Sequence, residues 1–273
     1  MCIWTLSEDG KTSTLRHRLT RHTLTIKSIA WSSDGLFLVS GSYDKTIRKW
    51  NVSTGECDST IDTPDWVIGV ALSPDNKHVV SAHAGFIMED CSICVWDVST
   101  GDRIFGTLKG HTKFVPTTVV YSPDGRRILS GSTNGSVIVC DSKTGKILFG
   151  PFTAHSDFVR SVSFHPSGET FVTGSFDKTL TIWDANNFKP ILKNIHVHSD
   201  LVLSVQYSPD GTSILSASED GTLRLSDAKK GRPTCDSVQN RCVVFMASFS
   251  PDGRRVASGG EDGKVRIWEV RDL

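Results

Sequence analysis

The chain has 273 residues, 30 Lys+Arg against 30 Asp+Glu, and a sequence pI near 7.1; that balance lacks the basic stripe of a DNA- or RNA-binding surface, and neither nucleic acid nor an anionic membrane is expected as a partner. No run approaches the ~18 apolar residues of a membrane helix, and the first residues, Met-Cys-Ile-Trp-Thr-Leu, have neither the basic start nor the long apolar core of a secretory leader. Seven scattered cysteines, an odd number, do not read as a disulfide framework, so an intracellular location, cytoplasm or nucleus, is expected.

Along the chain, Ile3-Trp4-Thr5 reads as the third strand of a unit and Thr14–Leu19 as its fourth, with no first or second strand before them. Six complete units follow. The landmark ahead of each first hairpin turn falls at Ser33, Pro74, Pro123, Pro166, Pro209 and Pro251, and a fixed period in the forties marks a repeat architecture. Each unit opens with a short apolar strand such as Phe158–Phe164, where the spacing of Val159 and Val162 predicts a β-bulge. A turn rich in Pro, Asp and Gly comes next, Ser-Pro-Asp-Gly at 122–125, 208–211 and 250–253; Pro sets φ early and Gly accepts a positive φ later. A second strand then leads into a tight Asp- or Asn-led turn, as at Asp44-Lys45, Asn134-Gly135 or Asp177-Lys178. The third strand carries Trp50, Trp96, Trp183 and Trp268, and a weaker fourth strand closes the unit. No helical period occurs, and several strands are apolar on both faces, which calls for sheets stacked on both sides. The units run without a linker, so residues 1–273 are expected to form a single domain.

Gly110-His111, Trp96-Asp97 and Trp183-Asp184, with weaker copies at Trp50-Asn51 and Trp268-Glu269, resemble the WD40 repeat family over essentially the whole chain. The regular units are similar to those of fungal NACHT proteins with WD40 tails. The resemblance implies an all-β WD40 β-propeller with six complete repeats plus a partial N-terminal one, either six-bladed or an incomplete seven-bladed ring. In this family the N-terminal fourth strand typically completes the last blade. Thr14–Leu19 is therefore expected beside the Trp268 strand, with the Trp4 strand left over and the N-terminus cut within a longer protein.

His155, Thr173 and Asp177, with Trp183, have the residue types of a hydroxyl–imidazole–carboxylate relay. They recur as His22, Ser40, Asp44 with Trp50, and as His198, Ser216, Asp220. Three copies at the repeat period argue for a structural network, which the resemblance also implies, and against a catalytic site. The network is degraded elsewhere: Thr63 and Asn240 stand at the His position, Asn134 and Cys140 replace Asp and Trp, and Ser226 replaces Trp. Those units are expected to be softer, leaving stability to rest most on the first and fourth. Cys91-Ser-Ile-Cys94 has no second pair to complete a zinc site, and no phosphate-cradling loop is present; no metal or cofactor is expected.

In such a propeller the turns between strands two and three and the starts of strand one share one rim, conventionally the top. This places Tyr43, Trp66, Ile68, Phe114, Phe158, Arg160, Phe176, Leu201, Leu203 and Phe245 there. Phe86 joins them from an insertion, Ala82–Glu89, expected to project on the same rim or to fold back over its blade. Aromatic residues and Arg are enriched in interface centres. The expected function is a non-catalytic protein- or peptide-binding scaffold within a larger complex. The alternatives are a recognition tail of a larger fungal-type signalling protein, or a propeller enzyme with its site in the central funnel.

Overall fold

The computed structural model describes residues 1–7, 10, 12–85, 92–108, 111, 115–234, 237–240 and 242–273. Among the described residues the elements are strands, apart from a 3-10 turn at Val270–Asp272. An N-terminal pair, β1 (Cys2–Leu6) and β2 (Ser13–Arg18), precedes six sheets in repeat order. The first is β3 (Ile26–Trp31), β4 (Phe37–Ser42), β5 (Thr46–Asn51) and β6 (Cys57–Asp62). The second is β7 (Trp66–Leu72), β8 (His78–Ala84), β9 (Ser92–Asp97) and β10 (Arg103–Leu108). The third is β11 (Pro116–Tyr121), β12 (Arg127–Ser132), β13 (Ser136–Asp141) and β14 (Ile147–Thr153). The fourth is β15 (Val159–Phe164), β16 (Thr170–Ser175), β17 (Leu180–Asp184) and β18 (Pro190–Ile195). The fifth is β19 (Val202–Tyr207), β20 (Ser213–Ser218), β21 (Thr222–Asp227) and the short β22 (Val238–Gln239). The sixth has three strands, β23 (Val244–Phe249), β24 (Arg255–Gly260) and β25 (Val265–Glu269).

Two expectations need correcting. The N-terminal strand β2 pairs with β1 and not with the last sheet, so the Trp4 strand is not left over. The chain reverses locally between Leu6 and Ser13, and a short-range antiparallel pair forms at a lower loop-closure cost than a pairing across the whole sequence. Second, Ala82–Ala84 belong to β8 and not to a loop, because they continue the ladder to β7; the rest of that insertion, with Phe86, lies outside the described residues.

The bulge read from Val159 and Val162 is present as a register shift between Val159 and Ser161. It recurs in β3, β7, β19 and β23. In three sheets the bulged stretch offers a Ser hydroxyl that accepts a backbone N–H of the following sheet: Ser28 from Val70 (3.1 Å), Ser161 from Val205 (3.0 Å) and Ser204 from Ala247 (3.4 Å). Apolar packing between sheets is equally regular. Gly41 of β4 lies against Val67 and Val70, and Gly174 of β16 against Val202 and Val205; a Cβ on Gly174 would come within 2.6 Å of Val205 Cγ1.

Chain packing divides the molecule into two compact units. One comprises 1–121, 125–128 and 140–147, the other 122–124, 129–139 and 148–273. In the first, Val39, Ile47, Ile61, Val67, Val79 and Trp96 form a buried cluster, and Ile3 and Leu19 of the N-terminal pair bury Trp50. In the second, Leu180, Ile182, Val202, Val205 and Ile214 do the same, followed by Leu215, Leu223, Val244 and Val256.

Candidate functional site

Two sheets carry the complete four-residue network in one geometry, and a third carries all of it but the Trp. In the fourth, the Trp183 indole N–H donates to Thr173 Oγ1 (3.0 Å), and the Thr173 hydroxyl faces His155 Nε2 at 2.7 Å. His155 Nδ1 lies 2.9 Å from Asp177 Oδ2, and Thr179 donates to the other carboxylate oxygen at 2.7 Å. A carboxylate only accepts, so Nδ1 carries the proton, Nε2 is bare, and the Thr173 hydroxyl donates to it. The first sheet repeats this with Trp50, Ser40, His22 and Asp44 (2.8, 2.7 and 2.7 Å). The fifth has Ser216, His198 and Asp220 (2.8 and 3.1 Å) with Ser226 where the Trp would stand. That loss leaves the buried Ser226 hydroxyl without a partner.

The carboxylates are charged and the imidazole of the first sheet is held neutral. Burial would raise the Asp44 pKa, but the Thr46 hydroxyl, the His22 imidazole and the Thr23 N–H outweigh it and pull it down to about 2. Asp177 and Asp220 are lowered by the same opposition of burial and hydrogen bonds. Burial lowers the pKa of His22 against the pull of Asp44. As a relay the arrangement fails at the hydroxyl. Ser40, Thr173 and Ser216 are completely buried. A hollow of ≈ 380 Å³ beside the fourth network is walled by His155 and Asp177, with Lys193, Asn194 and His196, but not by Thr173.

Two degraded units, the second and the sixth, are repaired in ways the repeat alignment does not reveal. In the second sheet, where Thr63 replaces His, His83 reaches in from β8: its Nε2 lies 2.7 Å from Ser81 Oγ, which accepts the Trp96 indole N–H at 2.7 Å. Burial lowers the His83 pKa to about 4. The only signal in the sequence is a His two residues beyond the network Ser, on the same face of an alternating strand. In the sixth sheet Asn240 stands in for His, accepting from Ser258 (3.2 Å), which in turn accepts from Trp268 (2.8 Å). In the third, the Asn134 side chain accepts from Ser136 (2.6 Å), and burial pushes the Cys140 thiol up to about 12.

Among the described residues, those expected on the rim lie at the turn end of their sheets. The residue before the Asp-led turn donates its N–H to the carbonyl at the start of strand one: Tyr43 to Thr25, Phe176 to Phe158, Glu219 to Leu201 and Glu261 to Val243. Two aromatic pairs result. Tyr43 and Trp66 have ring centroids 5.1 Å apart, with Lys27 Nζ 5.5 Å from the Tyr43 ring. Phe158 and Phe176 are stacked at 5.2 Å with planes 16° apart. Phe158 and Phe245 are exposed, while Ile68, Arg160 and Leu201 are half-buried. Leu203 is buried, because both faces of β19 are covered, and it offers a partner little surface. Phe86, Phe114 and Cys91 lie outside the described residues. Cys94 is buried, and burial raises its pKa.

The family model "WD domain, G-beta repeat" matches residues 13–51, 55–97, 103–141, 146–184, 189–227 and 236–269. Among curated proteins, the chain is 31% identical over 135 residues to anaphase-promoting complex subunit cdc20 of Dictyostelium discoideum, covering 48% of this chain and 26% of that protein. It is 30% identical over 161 residues to eukaryotic translation initiation factor 3 subunit I of Neosartorya fischeri, covering 54% and 45%. With small ribosomal subunit protein RACK1 of Caenorhabditis elegans the identity is 30% over 190 residues, covering 54% and 56%. The matched stretches thus span about a quarter to just over half the length of these relatives.

Proposed function

Because the chain belongs to the WD40 repeat family, as a six-repeat all-β propeller, we propose that it is a non-catalytic scaffold that binds a protein or peptide at the top rim. The observation that carries this reading is the two aromatic pairs, tilted Tyr43–Trp66 and stacked Phe158–Phe176, at the turn ends of their sheets. Two rings in contact give a partner a rigid apolar surface at a small entropic cost, the property of residues that dominate binding energy. The hydroxyl–imidazole–carboxylate chains below them are occupied in holding strands together, which supports a role other than bond-breaking. Relatives named as subunits of complexes and as a ribosomal-subunit protein favour a place in a larger assembly. The five described cysteines, all free thiols, suit a reducing compartment.

Selection from a displayed random-peptide library against the folded protein tests the reading. Binders are expected to lose tenfold or more in affinity to Phe158→Ala or Trp66→Ala, with Tm retained. Binders that are selected and are indifferent to both substitutions contradict it.

A further inference from the structure

The first and fourth sheets carry the same complete network, but their outer strands differ beside it. In the first sheet β6 follows β5 without interruption there: Ile47 faces Ile61, Arg48 faces Thr60 and Lys49 faces Ser59. In the fourth, Leu180 faces Ile195 while Ile182 faces Leu192, so Lys193 and Asn194 together oppose the single residue Thr181. This is a β-bulge, a device that bends a strand and re-aims its side chains. Asn194 holds it in the left-handed region, at φ 55°, which Asn adopts more readily than most residues. The Asn194 N–H still finds an acceptor, Thr181 Oγ1 at 3.4 Å. Both bulge residues line the hollow of ≈ 380 Å³ beside His155 and Asp177.

We propose that this hollow is a binding site for a phosphate monoester, held by Lys193, Asn194, His196 and Ser156. The wall has one carboxylate, and it is saturated. Asp177 accepts from His155 Nδ1 (2.9 Å), the Ser156 N–H (3.1 Å), and the N–H and hydroxyl of Thr179 (3.0 and 2.7 Å). Four donors fill the positions a carboxylate offers, so a cationic ligand meets no open carboxylate there. The donors are in the opposite condition. The Lys193 ammonium, the Asn194 amide, the His196 imidazole and the Ser156 hydroxyl line the hollow on exposed residues. Among the described residues, no hydrogen bond or ion pair engages any of these four side chains. An ammonium with several neutral donors suits the terminal oxygens of a phosphoryl group, whereas the bidentate recognition of a flat carboxylate is the work of an Arg fork. The volume lies in the range of small-molecule sites and leaves room for the carbon group that carries the ester. That group belongs either to a free small molecule or to a phosphorylated peptide side chain; the phosphoryl chemistry is common to both.

The test titrates the full chain with phenyl phosphate and, separately, with a short glycine-rich peptide carrying phosphoserine, followed by backbone amide chemical shifts. Saturable shifts are expected at residues 156 and 193–196 with at least one probe. Tighter binding of phenyl phosphate assigns the site to a free ester, and tighter binding of the peptide assigns it to a phosphorylated side chain. Lys193→Gln and Asn194→Gly are each expected to weaken binding about tenfold, the worth of one hydrogen bond to a charged group. Gly accepts the left-handed backbone, so Asn194→Gly removes the amide and keeps the bulge. Lys189→Gln, a charge change just before β18 and off the hollow, is expected to leave binding unaltered. The proposal is overturned by absence of a saturable shift with both probes, or by binding that survives both Lys193→Gln and Asn194→Gly intact. It is overturned equally if Lys189→Gln weakens binding as much as Lys193→Gln, since the attraction would then be one of overall charge.

Discussion

At the residue scale, the fold depends on hydroxyls that each satisfy two rings. Thr173 accepts from Trp183 and donates to His155 in a site without water access. Removing the hydroxyl while keeping the shape strands two buried polar groups, at a cost of about 1–3 kcal/mol. Thr173→Val is therefore expected to lower the urea midpoint clearly at unchanged m-value. A change near zero would show that the network is decorative. His83 gives a second handle. Its pKa is about 4 in the fold against roughly 6.5 in an unfolded chain, so the unfolded state takes up the proton first as pH falls. The stabilisation is complete above roughly pH 6.5 and is lost progressively down to about pH 4, amounting to about 3 kcal/mol. Stability measured at pH 7 and pH 5 is expected to differ more in the wild type than in His83→Gln. Asp44 acts in a lower window: its contribution holds above roughly pH 4 and disappears as pH falls through its folded value of about 2.

At the scale of the element, the same sequence position has opposite requirements in different sheets. Gly174 and Gly259 follow the network Thr or Ser in the second strands of the fourth and sixth sheets. A Cβ on Gly174 meets Val205 Cγ1 at 2.6 Å and Val202 Cγ1 at 2.9 Å, while one on Gly259 meets nothing within 4 Å. Gly174→Ala is expected to cost about 1–3 kcal/mol through overpacking. Gly259→Ala is expected to stay within about 0.5 kcal/mol of wild type. Equal effects in thermal unfolding would contradict the packing described for β16 against β19. This contrast was not legible in the sequence, since Thr-Gly-Ser and Ser-Gly-Gly read alike until the neighbouring sheet is in place. The partner of β2 was left between two ring readings for a related reason: strand pattern identifies a strand but not its partner. The bulge at Val159–Val162, by contrast, was legible, because an extra residue shifts the apolar period locally. The His22 and His155 networks were legible because they recur at one spacing. His83 was not, because its imidazole enters from a different strand and leaves no mark at the expected position.

At the scale of the whole molecule, each of the six WD40 repeats runs from the last strand of one sheet through the first three strands of the next, the first starting at β2, and stability in such arrays is close to a sum of units and their neighbour contacts. Variation between units is then tolerated where a neighbour compensates, as Asn240 and His83 do for a missing His. The proposed function rests on what the turn ends present, and register alone pointed to Tyr43, Trp66, Phe158 and Phe176 in the sequence. Their pairing into ring contacts needed coordinates, because Tyr43 meets a residue of the next sheet and Phe158 one of its own. Proximity labelling in cells, comparing wild type with Trp66→Ala and Phe158→Ala at matched expression, tests the scaffold reading most directly. The account predicts that at least one set of labelled neighbours disappears with either substitution while Tm is preserved. Retention of every neighbour by both variants would contradict it.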